Sequence, residues 1–434
     1  MQKIDFWSLL SLTQQYISER YSAVLTEKEK LSQLKAYIEK YVRDTDYAVG
    51  GYELMSLVNR LYCEMAEYSI LTKYLGSDEL EEINVNSWND VALTYRDGSI
   101  VKLKEHFHTP QHAVDIIKRL LHHSGMIIDN ATPMALGHLP NNTRITVLKD
   151  PIVDEEIGIA CSIRLLHPNK ITHEKLLETE FATLEMIAFL EMCMRYGASV
   201  VIAGATSSGK TTSMNALLQS IPDNKRIISI ESGSRELALV RSSEHGILNN
   251  VVHTISRPSD NPIYCITQEG LVAISLRLNP DILVIGEMRD TEAYSAVEAS
   301  LTGHTVVSTV HAGAGDAAHM RIALLCQKRF PIDFNTSLVQ AGQAFPIVVY
   351  AHKLENNSRK IMDISECEIL PSGERRYNTL YKFNITKNTI EKGETTVDGY
   401  FDKPNLMSDN LKRKLIQFGV PQKELQFFMR KEGA

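Results

Sequence analysis

Long hydrophobic runs are missing from this 434-residue chain, and none approaches the ~20 consecutive apolar residues that a helical membrane span requires. Paired cysteines are missing as well. The six cysteines (Cys63, Cys161, Cys193, Cys265, Cys326 and Cys367) stand singly, with no C-x-x-C spacing. That excludes a zinc ribbon and a disulfide framework and leaves buried free thiols. The opening residues MQKIDFWSLLSL include a short apolar stretch but no small-residue cleavage site, so a signal peptide is not expected and the cytoplasm is the expected compartment. Positive charge is not in excess either. A net charge of −7 argues against a dedicated nucleic-acid binder, although it leaves room for a local basic face.

The composition is otherwise that of an ordinary soluble protein, 44% hydrophobic and 23% charged. The length exceeds one ordinary core and predicts two or three domains. Residues 1–75 read as an N-terminal helical extension. Thr26 and Glu29 have the spacing of a capping box, Leu31, Leu34, Ile38 and Tyr41 recur at helical spacing, and a stripe of Leu54, Met55, Val58, Tyr62 and Met65 follows. Such helices are expected to pack on each other or on a neighbouring domain; a docking arm for a partner is the alternative.

Residues 76–166 read as a small α+β domain. Short strands are broken by turn signals at Ser87 to Asp90 and at Asp97-Gly98, a helix is predicted over 111–124, and strands follow at Arg144 to Leu148 and Ile157 to Leu166. His167-Pro168-Asn169-Lys170 interrupts the pattern, because proline disfavours helix in the residue before it. An interdomain linker is placed over 167–180. From 181 to 434 helices alternate with short apolar strands, the pattern of a doubly wound α/β domain. Further strands are predicted at Ile347 to Ala351, Ile361 to Ile369 and Asn378 to Phe383, and the basic tail Lys412 to Lys431 reads as helical, with Lys412, Arg413 and Lys414 expected on a solvated face and contact with phosphate or lipid, as in peripheral membrane association, the alternative.

The most informative stretch is VVIAGATSSGKTT, Val200 to Thr212. An apolar run stops at Gly204, and Gly209, Lys210 and Thr211 complete the G-x-x-x-x-G-K-[ST] pattern of a phosphate-binding loop. Glycines let backbone N–H groups curl around an anion. Lys210 has the reach for the β- and γ-phosphates, the Thr211 hydroxyl suits Mg²⁺, and a helix beginning here aims its positive end at the phosphates. Gly204, Ala205, Thr206, Ser207, Ser208, Gly209, Lys210, Thr211 and Thr212 are therefore the candidate nucleotide-binding residues.

Ligands of doubly wound sheets sit beyond the carboxyl ends of the parallel strands. Besides the run into the loop, Arg226 to Ile230 stops at Glu231, Ile282 to Ile285 stops at Gly286-Glu287, and Thr305 to Val310 stops at His311. If these strands are parallel neighbours, their tips gather at one phosphate site. Glu287 is then placed to hold Mg²⁺ together with Thr211, and Glu231 to orient or deprotonate the attacking water. His311 is a candidate phosphate sensor. His304, seven residues earlier, is a weaker candidate, because odd spacing on an extended strand turns the two histidines to opposite faces. Arg144, Arg164 and Arg257 are candidate charge stabilisers.

GATSSGKTT, IESGSREL, LRLNPDILVIGEMRDTEA and TGHTVVSTVHA, taken in order, resemble the Walker A, Asp box, Walker B and His box of the type II/type IV secretion ATPase superfamily. INVNSWNDVALTYRDG and LPNNTRITV resemble its N-terminal domain, and SRKIMDISECEIL its C-terminal region. Within the superfamily, SIRLL and Ser256-Arg257-Pro258 are most similar to the CpaF-type ATPases of Tad pili. The resemblance implies an α/β fold, with a RecA-like P-loop ATPase domain preceded by the α+β domain and the helical extension. It implies a homo-hexamer that uses ATP and Mg²⁺ to drive pilin assembly or secretion, working with an inner-membrane platform protein at the cytoplasmic face of that membrane. It also implies Glu231 as the acid of the Asp box, Glu287 as the Walker B acid, His311 as the His-box sensor, and Arg144, Arg164 and Arg257 as groups that neutralise phosphate charge. A conjugative ATPase involved in DNA transfer and a nucleotide-gated switch with little hydrolysis are the competing expectations. The chain departs from the family pattern at Ala205, Ser207, Ser232 and Gly313; glycine is usual at the first two.

Overall fold

The computed structural model describes residues 2–26, 31–122, 124–139, 143–165, 172–233, 235–257, 262–391 and 394–429. They form two compact units, Met1–His167 and Pro168–Ala434. The capping box expected at Thr26 and Glu29, and the start of the expected linker at 167–171, lie outside the described residues or side chains.

The first unit joins two parts that the sequence pattern separates. Helices Phe6–Thr26, Leu31–Thr45 and Leu54–Ala66 bury Leu9, Ile17, Leu34, Ile38, Val42, Leu57, Val58 and Leu61 against one another. The predicted stripe is shifted in the third helix: Leu57 and Leu61 turn inward, while Met55 is exposed. A second core lies beneath a six-stranded antiparallel sheet in the order 100–102, 90–95, 80–87, 159–164, 144–149, 134–138. Helix Pro110–His122 covers one face with Ala113, Val114, Ile116, Ile117, Leu120 and Leu121, which meet Ile83, Ile145 and Ile163. Alternation along the strands sends Arg144 and Arg164 to the other face, directly opposite each other on adjacent strands.

The second unit is built on a nine-stranded sheet in the order 250–256, 226–232, 282–288, 305–310, 200–203, 347–353, 359–369, 375–391, 394–402. Pairs are parallel from the first strand through the sixth and antiparallel beyond it. The strand Val200–Ala203 is buried throughout, and its residues divide between two cores. Val200 and Ile202 join helices Leu184–Arg195, Lys210–Leu218 and Asp409–Gln417. Val201 and Ala203 join helices Glu292–Leu301, Gly315–Gln327 and Phe334–Ala344 on the opposite side. A sheet covered on both faces needs strands that are apolar at every position. Each fully buried aliphatic side chain contributes roughly 1.5–3 kcal/mol through removal from water.

The C-terminal ribbon was only partly predicted. Its long strand runs Arg375–Glu391, and its partner Glu394–Asp402 has no apolar periodicity to announce it. The basic tail forms two helices, Asp409–Gln417 and Gln422–Phe428.

Candidate nucleotide site

The strand Val200–Ala203 lies between two parallel neighbours, Thr305–Val310 and Ile347–Lys353, and delivers the chain to Gly204. No side chain fits there: a Cβ on Gly204 would lie 2.3 Å from the Ala351 carbonyl oxygen and 2.5 Å from Ser208 Oγ. Gly209 has a left-handed backbone (φ +91°), as does Ser207 (φ +61°). Helix Lys210–Leu218 follows with no side-chain cap at Gly209. Its first N–H groups therefore face the loop, the arrangement that favours an anion.

Lys210 is buried at the centre of this loop, where Nζ donates to the carbonyls of Gly204 (2.9 Å) and Ala205 (2.7 Å) and to His311 Nδ1 (3.4 Å). An ammonium only donates, so Nδ1 of His311 is the acceptor and the ring proton is on Nε2. Nε2 lies 3.1 Å from Glu287 Oε1, an electrostatic contact without the alignment of a hydrogen bond. Burial lowers the His311 pKa, which fits a neutral ring. His311 thus bridges the phosphate-loop lysine and the acidic tip of the strand Ile282–Met288. The register of that strand slips between Ile285 and Met288, a bulge that re-aims Glu287. The other Glu287 oxygen accepts from the Arg289 guanidinium.

Glu231 ends the neighbouring strand, and Gly286 gives it room: a Cβ on Gly286 would lie 3.3 Å from Glu231 Cγ. The Glu231 side chain is buried, and Oε1 accepts from the backbone N–H groups of Glu236 (2.7 Å) and Leu237 (3.0 Å). Oε2 has no hydrogen-bond partner among the described residues, and His253 Nδ1 is 3.9 Å from it. Burial dominates and pushes the Glu231 carboxyl up to about 7. Burial, followed by the charge of Arg235, pushes His253 down to about 4, so its ring is neutral beside the acid. A carboxyl poised near neutrality with one buried oxygen lacking a hydrogen-bond partner suits general-base chemistry.

The donors present fit a triphosphate and its cation. Loop amides and an ammonium suit phosphate oxygens, and the half-buried Thr211 hydroxyl with the Glu287 carboxylate suits a divalent ion. Among the described residues no group of three His, Cys, Asp or Glu could hold a metal by itself. A cation here would take its remaining ligands from phosphate and water.

Not every candidate residue joins this cluster. Lys210, Glu231, Glu287 and His311 lie at the tips of four consecutive parallel strands or directly beyond them. Ala205, Thr206, Ser207 and Thr212 are exposed along the loop, and Ser208 is buried. Arg257 follows the edge strand Asn250–Ser256, where its Nε donates to Tyr264 O at 3.1 Å and its backbone bridges Ile266; Pro258 lies outside the described residues. Arg144 and Arg164 belong to the first unit, where Arg164 is 3.7 Å from Glu81.

His304 is at the wrong end of its strand. It precedes Thr305–Val310, and with Arg195, Lys225 and Asp281 it lines a cleft of about 320 Å³ at the amino ends of the parallel strands. Six residues of strand put it roughly 20 Å from His311. The seven-residue spacing that marked the pair in the sequence is the length of the strand, not a shared site.

Side chains not singled out in the sequence also converge here. Arg289 is two residues from Glu287, on the same side of an extended chain, a spacing that could have revealed it. His253 and Arg359, by contrast, arrive through strand pairing and a distant hairpin. Arg359 Nε donates to Ser207 O at 2.8 Å.

The sequence model of the family described as "Type II/IV secretion system protein" matches residues 64–392. Similar proteins include an uncharacterised protein of Methanocaldococcus jannaschii, 28% identical over 256 residues covering 57% of this chain and 45% of that protein. The type IV secretion system protein PtlH of Bordetella pertussis is 31% identical over 191 residues, covering 42% of this chain and 54% of PtlH. The chain thus spans about half the length of these curated relatives. Among solved structures, the Legionella pneumophila ATPase DotB aligns at 15% identity with a TM-score of 0.47, covering 82% of this chain and 83% of that one.

Proposed function

The chain belongs to the type II/IV secretion system protein family, and on that premise we propose that it is a motor ATPase of a secretion or pilus-assembly system. The observation that carries this reading is the bridge from Lys210 through His311 to Glu287, with the open oxygen of Glu231 on the adjacent strand. Bound ATP with Mg²⁺ would supply the phosphoanhydride bond and the charge to be neutralised. Lys210 and the loop amides would hold the phosphates, Thr211 and Glu287 would hold the cation, and Glu231 would take a proton from the attacking water through Oε2. His311 would sense the γ-phosphate, because it touches both the lysine and the Walker B acid. Arg144, Arg164 and Arg257 would neutralise phosphate charge in the working assembly.

The resemblance to CpaF-type ATPases extends the proposal to a homo-hexamer serving a Tad-like pilus, working with a membrane platform protein at the cytoplasmic face. Among the described residues no helix is long and apolar enough to cross a membrane.

Phosphate release from ATP tests the enzymatic reading. The parent protein should turn over ATP, and Lys210→Ala should lower the rate by at least about a hundredfold, the scale expected when a positioned charge stabiliser is removed. Equal rates for the two proteins would refute the assignment. A second reading, a nucleotide-gated switch, draws support from the Lys210 ammonium being engaged by the loop's own carbonyls; it predicts saturable ATP binding with no turnover in the same assay.

A further inference from the structure

We propose that Arg359 is a positioning residue for the phosphate loop, acting through the Ser207 peptide; this rests on the nucleotide site proposed above. Ser207 stands where the resembling family usually has glycine, and it has a left-handed backbone (φ +61°) that a Cβ disfavours. Something outside the loop must offset that preference. The Ser207 carbonyl accepts from Arg359 Nε at 2.8 Å, a charge-assisted hydrogen bond from a distant part of the chain.

The fold supplies Arg359 through a hairpin. Strand Ile347–Lys353 lies beside the strand leading into the loop, and its Ala351 carbonyl abuts Gly204. A tight turn follows, with Leu354 N–H donating to Ser358 O (2.8 Å), Asn356 Oδ1 accepting from the Ser358 hydroxyl (2.7 Å), and Asn357 left-handed at φ +63°. The returning strand then puts Arg359 opposite Lys353. The next two residues are fixed as well: Lys360 Nζ meets Glu180 Oε2 at 3.0 Å, and Ile361 N–H donates to Phe181 O at 2.8 Å. Phe181 in turn packs 3.3 Å from where a Gly209 Cβ would be. Three consecutive residues of one strand therefore reach both the phosphate loop and the segment around Glu180 and Phe181, and this places Arg359 against the Ser207 peptide.

An arginine that shapes the loop itself acts on every nucleotide that shares the α- and β-phosphates. One that touches the γ-phosphate acts on ATP alone. Affinities for ADP and for a non-hydrolysable ATP analogue should therefore be measured by calorimetry for the parent, Arg359→Gln, Ser207→Gly and the double variant. Arg359→Gln should weaken both nucleotides equally, by about tenfold, the loss expected for one charge-assisted hydrogen bond. Adding Ser207→Gly should restore affinity to within about threefold of the parent, because glycine is at ease in the left-handed conformation without an external hold.

Additive losses in the double variant, or a loss confined to the ATP analogue, would overturn the proposal. So would an unchanged affinity in Arg359→Gln. If Arg359→Gln does not fold, amide hydrogen exchange decides: Arg359→Lys should raise exchange at Ser208 to Lys210, and Ser207→Gly should reverse it, whereas unchanged exchange contradicts the role. A parent that binds neither nucleotide would instead refute the site itself.

Discussion

Glu231 carries the sharpest residue-scale consequence. It is a buried carboxyl with Oε1 committed to two backbone N–H groups and Oε2 open, and its pKa is raised to about 7 because burial penalises the charged form. A general base works only when deprotonated, so turnover should fall as pH drops through about 7. The same shift acts on stability with the opposite sign. The folded protein keeps this proton to a higher pH than the unfolded chain does, so the group's favourable contribution is complete in acid and is lost as pH rises from 4.5 to about 7. Glu231→Gln should therefore lose turnover across the whole pH range and, above neutrality, melt at a higher temperature than the parent. A rate profile flat between pH 6 and 8 in the parent, both roughly one unit from that pKa, would show that another group takes the proton.

Strands and loops set the next scale. Four parallel neighbours present Glu231, Glu287, His311 and the phosphate loop at one edge of the sheet. This much could be read in advance, because Val200–Ala203 and Ile282 to Ile285 are apolar throughout and each stops abruptly at a glycine, Gly204 and Gly286. The finer geometry could not. The bulge at Gly286-Glu287 depends on how two strands pair, and His253 reaches Glu231 only through the register Ser229↔His253. His304 precedes its strand and so lies at the amino end, away from the loop, in keeping with its being the weaker of the two histidine candidates. Arg359 is 152 residues from its partner Ser207, beyond any local pattern. At this scale the close fit of Gly204 against the Ala351 carbonyl makes a direct prediction. Gly204→Ala would place a Cβ 2.3 Å from a backbone oxygen that cannot rotate away, so the loop must shift. Nucleotide affinity should drop by at least about tenfold, equivalent to ~1.4 kcal/mol, while the circular-dichroism spectrum stays that of the parent. Parental affinity in this variant would mean that the loop and the hairpin are not so closely fitted.

At the scale of the whole molecule, the chain divides into a helical and antiparallel unit and a doubly wound unit. The α/β character of the second was legible from its alternating helices and apolar strands. Packing of residues 1–75 on each other or on a neighbouring domain was expected, but not the side chains that make it, such as Arg119, which donates to the carbonyls of Glu64 and Glu67 at 2.8 Å each. Arg144 and Arg164 face each other across two strands of the first unit, where like charges repel. A motor of this kind should work as an assembly. The most direct test is phosphate release per chain across a range of protein concentrations, with mass in solution followed by light scattering. Turnover should rise as single chains give way to a ring-sized species and should disappear in Glu231→Gln despite retained ATP binding. Full turnover from a species with the mass of one chain, or none at any concentration, would contradict it.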